Sequence, residues 1–197
     1  MVVALCGCSS STVSGSGGAG GVGGAGAGGA GATGGTSATA PSCEGYCATV
    51  TAACTGDAAV YTSEQSCAAV CAELELGTAG SSDGNTVACR QAQAAAAGDD
   101  ASLCPAAGPG GDGTCGSTCE GYCSLFEALC PTEFAASYTS TPACEASCAT
   151  DIPDLGGFDV TVVEGDSIQC RLYHVTQAAL DAAFHCAHAA GLEICVK

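Results

Sequence analysis

The chain has 197 residues, among them 18 cysteines and 30 glycines but no tryptophan, and carries a formal net charge of −17 at pH 7. Twenty acidic residues stand against three basic ones, Arg90, Arg171 and Lys197, so there is almost nothing to neutralise phosphates and nucleic acid is excluded as a partner. So many cysteines in a short, aromatic-poor chain point to covalent staples and an oxidising compartment rather than to a large apolar core.

The chain opens MVVALCGCSSS. Leu5-Cys6-Gly7-Cys8 resembles a bacterial lipobox, with leucine three positions before the modified cysteine and a small residue directly before it. Cys8 is therefore the expected lipidation site, and Ser9 behind it fits sorting to the outer membrane. Residues 1–8 are too short and uncharged for a complete secretory signal, so more of that signal is expected upstream of Met1. Residues 9–42 read as a disordered Gly/Ala/Ser-rich linker, and about 34 residues of such coil span roughly 30–35 Å. Within it Gly15-Ser16-Gly17-Gly18-Ala19-Gly20 has the letters of a dinucleotide-binding turn, but no strand precedes it and no helix follows.

From Cys43 onward the chain repeats itself. CEGYC occurs as Cys43–Cys47 and again as Cys119–Cys123. Aligned on it, Cys43, Cys47, Cys54, Cys67, Cys71, Cys89, Cys104 and Cys115 match Cys119, Cys123, Cys130, Cys144, Cys148, Cys170, Cys186 and Cys195 in order. In the first copy, helices are predicted over 43–54, 64–76 after a Thr62/Ser63 cap, and 86–97, stopping at Gly56, Gly77 and Gly98. In the second they are predicted over 119–130, stopped by Pro131, over 142–150, and over a longer run from about 168 to 190. The expected fold is all-α: two tandem Cys-rich repeats, 43–115 and 119–195, of about three short helices each.

Cysteines at i and i+4 of a helix lie on one face, yet their β-carbons stand about 5–6 Å apart, too far for a mutual disulfide. They must reach another segment, for example Cys43 to Cys71 and Cys47 to Cys67. Thiolates around zinc are the alternative, but export favours disulfides for all sixteen. Eight cysteines per repeat allow 105 connectivities. Both arginines follow the sixth cysteine of a repeat, and the acidic residue repeated at an equally fixed place is the glutamate of CEGYC. Ion pairs Glu44–Arg90 and Glu120–Arg171 are therefore expected, with the guanidinium locating one helix against another.

Chemistry-bearing motifs are scarce. The histidines are His174, His185 and His188; imidazole suits zinc, copper or haem iron, although neither C-x-x-C-H nor H-E-x-x-H is present. Their counterparts in the first repeat are Gln93, Leu103 and Ala106, so the frame does not need them. No G-x-S-x-G elbow occurs, and no carboxylate pair stands out as an acid and base. The acidic loops Ser81–Asn85 and Glu164–Asp166 lack EF-hand spacing.

CxxYC, CxxxC, CRLYH (170–174) and HCAHAAG (185–191), behind a lipobox and a Gly-rich tether, resemble the Cys-rich tandem-repeat lipoproteins predicted in myxobacteria. The likeness covers residues 43–195 and implies no reaction, substrate or cofactor. The functional expectation is a noncatalytic, disulfide-stabilised surface lipoprotein module without a cofactor, serving a binding or structural role in the cell envelope. Its expected partners are the membrane, through the lipid anchor, and a protein or glycan. The alternative is a metal- or haem-binding redox protein using His174, His185 and His188.

Overall fold

A computed structural model of the chain describes residues 39–196. The expected lipidation site Cys8 and most of the linker lie outside the described residues. Nine α-helices form among the described residues: α1 (Cys43–Ala53), α2 (Glu64–Cys71), α3 (Val87–Ala97), α4 (Cys104–Ala107), α5 (Thr118–Leu129), α6 (Pro131–Ser137), α7 (Thr141–Asp151), α8 (Ile168–Ala178) and α9 (Ala182–Ala189). The β pairing found there is a single bridge between Glu75 and Thr86. No helix of the described residues is long and apolar enough to cross a membrane.

Local chemistry sets where the helices begin. Ser42, Ser63, Thr86, Ser117, Ser140, Ser167 and Asp181 each place a side-chain oxygen on an N–H of the following first turn. Such caps satisfy donors that a helix start otherwise leaves open. The register repeats, since Thr86 and Ser167 accept from the amides of Cys89 and Cys170, the sixth cysteine of each copy. Thus α1, α2 and α3 correspond to α5, α7 and α8, and a short helix around the seventh cysteine, α4 or α9, adds to the three expected per repeat.

Two differences from the sequence reading have plain causes. Pro131 ends α5 but also opens α6, because a proline at the first helical position forfeits an N–H that would be unpaired anyway. The long run over 168–190 breaks after Ala178. The amides of Leu180 and Asp181 both turn back to the Gln177 carbonyl, and Asp181 then caps α9 through the amide of Phe184.

All sixteen cysteines among the described residues are paired, in two identical sets of four bridges. In the first repeat Cys43 joins Cys71, Cys47 joins Cys67, Cys54 joins Cys104 and Cys89 joins Cys115. In the second, Cys119 joins Cys148, Cys123 joins Cys144, Cys130 joins Cys186 and Cys170 joins Cys195. Numbered within a repeat, the pattern is 1–5, 2–4, 3–7 and 6–8. The first two bridges lash the CxxxC faces of two antiparallel helices, the third ties the end of the first helix to the short helix around the seventh cysteine, and the fourth ties the third helix to the end of the repeat. No bridge crosses between repeats.

The repeats are nonetheless joined by one apolar core, which draws Val50, Val60 and Val70 from the first and Leu125, Phe126, Ile168 and Leu172 from the second. The Val160 amide donates to the Ala59 carbonyl at 2.9 Å, and Thr62 of the first repeat bonds Gln177 at 3.2 Å. The segment 108–111 is buried between the copies.

That segment gives the two CEGYC glycines different duties. A β-carbon on Gly121 would meet the Pro109 carbonyl oxygen at 2.6 Å and the Gly110 α-carbon at 3.0 Å, both backbone atoms with little room to yield. On Gly45 the same atom would meet Ser42 Oγ at 3.1 Å and Gln91 Nε2 at 3.6 Å, both movable side-chain ends. Gly121→Ala is expected to cost about 1–3 kcal/mol through overpacking. Gly45→Ala is expected to be neutral, or to stabilise by up to about 1 kcal/mol through helix propensity. Urea midpoints of the two variants check this, and equal effects would contradict it.

Candidate functional site

The fixed residues of the repeat converge on the segment that follows the seventh cysteine. Tyr46 donates its hydroxyl to the Ala107 carbonyl at 2.6 Å, and Tyr122 donates to the Ala189 carbonyl at 2.8 Å. Both acceptors lie three residues past the seventh cysteine, so the tyrosine of CEGYC fastens the same place in each copy. Burial raises the pKa of both phenols, which keeps the donated proton in place at neutral pH.

The arginines approach the same segment, and here the expected ion pairs are corrected. Arg90 is fully buried. Its Nε donates to the Gly108 carbonyl at 2.9 Å, and Nη2 donates to the Pro109 carbonyl at 2.8 Å and to Asn85 Oδ1 at 2.7 Å. Nη1 reaches the Thr86 carbonyl at 3.3 Å. A buried guanidinium with its donors spread over backbone carbonyls needs no carboxylate beside it. Glu44 stands exposed in the first turn of α1, where the helix dipole favours an anion. Arg171 pairs with Asp166 at 3.3 Å rather than with Glu120. Its guanidinium lies against Gly191, where a β-carbon would stand 2.4 Å from Arg171 Cζ. Glu120 accepts from the Ser117 amide at 3.3 Å and so completes a capping box on its own helix.

The histidines form the one chemically distinctive cluster. His174 sits one turn after Cys170 on α8, and His185 and His188 lie three residues apart on α9, so the tight turn at 179–181 folds all three together. One nitrogen from each ring lies within 4.8 Å of the other two. His174 Nδ1 and His185 Nδ1 are 2.8 Å apart, while His174 Nε2 faces the Val163 carbonyl at 3.1 Å. His188 Nε2 meets the Glu193 carboxylate at 2.9 Å, leaving His188 Nδ1 buried without a partner. Desolvation lowers the His174 pKa to about 4, against the raising effect of the Val163 carbonyl, and lowers that of His185 as well. Both rings are therefore neutral at pH 7 and keep lone pairs for a ligand.

Two positions in this cluster carried no sequence signal: Val163 contributes only a carbonyl, and Glu193 is one acid among twenty. Glu193 adopts φ +61°, a left-handed conformation that a non-glycine residue takes only where its surroundings hold it. The sulfurs near His174 are not ligands in waiting, because Cys170 and Cys195 are bonded to each other. The three rings suit a single ion better than a macrocycle. Axial nitrogens on opposite faces of an iron would stand about 4 Å apart, twice a metal–nitrogen distance, whereas His174 and His185 are within direct hydrogen-bonding reach.

Fold and bridges together define a disulfide-rich, all-helical tandem-repeat protein of an oxidising, extracytoplasmic compartment. Residues 35–118 match the family model for the BfoA family C-terminal domain. The match takes in the whole first repeat and ends one residue before Cys119, where the second begins. No curated protein and no solved structure matches the chain.

Proposed function

We propose that the chain is a noncatalytic surface lipoprotein: a lipid on Cys8, a linker over residues 9–42, and a cemented two-repeat head with a binding or structural role in the cell envelope. The observation that carries this reading is the duplicated bridge set, which commits every described thiol to structure and leaves none as a nucleophile. Arg90, the largest fully buried side chain, is likewise spent on holding backbone. A head with crosslinks at this density resists proteolysis and reduction-free denaturation, which suits display outside the cytoplasm on a protein- or glycan-rich surface.

The test is fractionation of the protein from its native cells, with mass analysis of its N-terminal peptide. The expected result is an acylated Cys8 in the outer-membrane fraction, and release of an intact, fully bridged head into the soluble fraction by Cys8→Ala. An unacylated wild-type protein in the soluble fraction would overturn the lipoprotein reading.

A further inference from the structure

We propose that His174, His185 and His188 form a binding site for a divalent first-row transition ion, copper(II) or zinc(II), through Nδ1 of each ring, with the remaining position open to solvent. The inference rests on the geometry of the second repeat and is independent of the membrane anchor. Outer partners already fix two of the three ligands. The Val163 carbonyl holds the proton of His174 on Nε2, and the Glu193 carboxylate does the same for His188. Both rings therefore present an Nδ1 lone pair, and a carboxylate or carbonyl behind a histidine is the usual support of a metal ligand.

Without an ion, the inward-facing nitrogens are poorly served. His174 Nδ1 accepts the Nδ1 proton of His185, and buried His188 Nδ1 has no partner. At metal–nitrogen distances of about 2.0–2.1 Å, tetrahedral ligand nitrogens stand roughly 3.3–3.4 Å apart. The 2.8 Å between Nδ1 of His174 and Nδ1 of His185, and one ring nitrogen from each of the three histidines lying within 4.8 Å of the others, place the rings close enough for one ion to draw them to that spacing. His185 moves its proton from Nδ1 to Nε2 and turns a lone pair to the ion.

The first repeat serves as an internal control. It builds the same four bridges with Gln93, Leu103 and Ala106 at the matching positions, so the frame does not require the imidazoles. Meanwhile the second repeat pins the cluster from both sides. Cys186, between His185 and His188, is tied to Cys130, and the Cys170–Cys195 bridge holds α8 to the strained turn that carries Glu193. A net charge of −17 raises the local concentration of cations around the head.

Calorimetric titration of the oxidised full chain with zinc and copper(II) salts, with electron paramagnetic resonance of the copper form, tests the site. The expected result is one equivalent bound, copper more tightly than zinc, with three nitrogens coupled to copper. His185→Ala, in a partly exposed position, is expected to weaken binding at least 100-fold while circular dichroism and the complete pairing of the sixteen cysteines from Cys43 to Cys195 stay unchanged. Glu193→Gln keeps all three ligands and is expected to weaken binding about 10–100-fold. Absence of stoichiometric binding, or one equivalent bound undiminished by His185→Ala and His188→Gln, would overturn the proposal.

Discussion

Replacing Arg90 with methionine is expected to destabilise the protein by about 2–4 kcal/mol, through buried neutral acceptors that lose their donors. Methionine keeps the apolar stem, so the loss isolates the guanidinium. Its removal strips donors from the Gly108 and Pro109 carbonyls and from Asn85 Oδ1 in a segment that water does not reach. Each buried acceptor left open costs roughly 1–3 kcal/mol. Arg90→Lys is expected to recover little, since one ammonium has no fork with which to span three acceptors. Arg171→Met is expected to cost less than Arg90→Met, about 1–3 kcal/mol, because its ion pair with the largely buried Asp166 is a single 3.3 Å contact. Glu44→Gln is expected to lie within about 0.5 kcal/mol of wild type. Urea unfolding followed by far-ultraviolet circular dichroism ranks these four variants. A Glu44→Gln cost comparable to that of Arg90→Met would restore the ion pair that the structure replaces.

The second large effect concerns the bridges, which differ in what they constrain. Cys54–Cys104 and Cys130–Cys186 close the longest segments, with sequence separations of 50 and 56. The chain-entropy relation gives about 4 kcal/mol for a loop of that size. Cys47–Cys67 closes a separation of 20 and is nested inside Cys43–Cys71. With the outer bridge intact, the inner one restricts only a few further residues at each end. The paired replacement of Cys54 and Cys104 by alanine is therefore expected to cost about 3–4 kcal/mol, and that of Cys47 and Cys67 roughly 1–2 kcal/mol less. All four half-cystines are almost fully buried, so the cavity contributions are similar and the difference reports loop closure. Equal losses in denaturant midpoint would show that packing, not chain constraint, sets the value of these bridges.

How much of this could be read from residues alone follows from what a sequence labels. Cysteines label themselves, and the i, i+4 spacing of Cys43/Cys47 and Cys67/Cys71 already demands that each pair reach another segment, with the pairing of the two helices one example among many. The arginines after Cys89 and Cys170 advertised a repeated role by position. Their partners did not, because a backbone carbonyl such as that of Gly108 looks the same at every residue. The tyrosine of CEGYC is legible only afterwards for the same reason, as its acceptor is again a carbonyl. For the histidines, the spacing of His185 and His188 was visible, but the break that folds them onto His174 was not. Ala179 and Leu180 continue an apolar helical pattern, and only Asp181 marks a new start. The double duty of Pro131 was missed because a proline reads as a stop before it reads as a first turn. The two CEGYC glycines look identical in sequence, and what separates them is the neighbouring repeat pressed against one and not the other.

The central claim is that the chain builds one disulfide frame twice and closes each copy on itself. Proteolysis of the unreduced protein, with mass identification of the linked peptides and a free-thiol count, tests it most directly. The expected result is no free thiol among the sixteen cysteines from Cys43 to Cys195, and the pairing 1–5, 2–4, 3–7 and 6–8 in both repeats. A bridge joining the two repeats, or a different pairing in one of them, would contradict it.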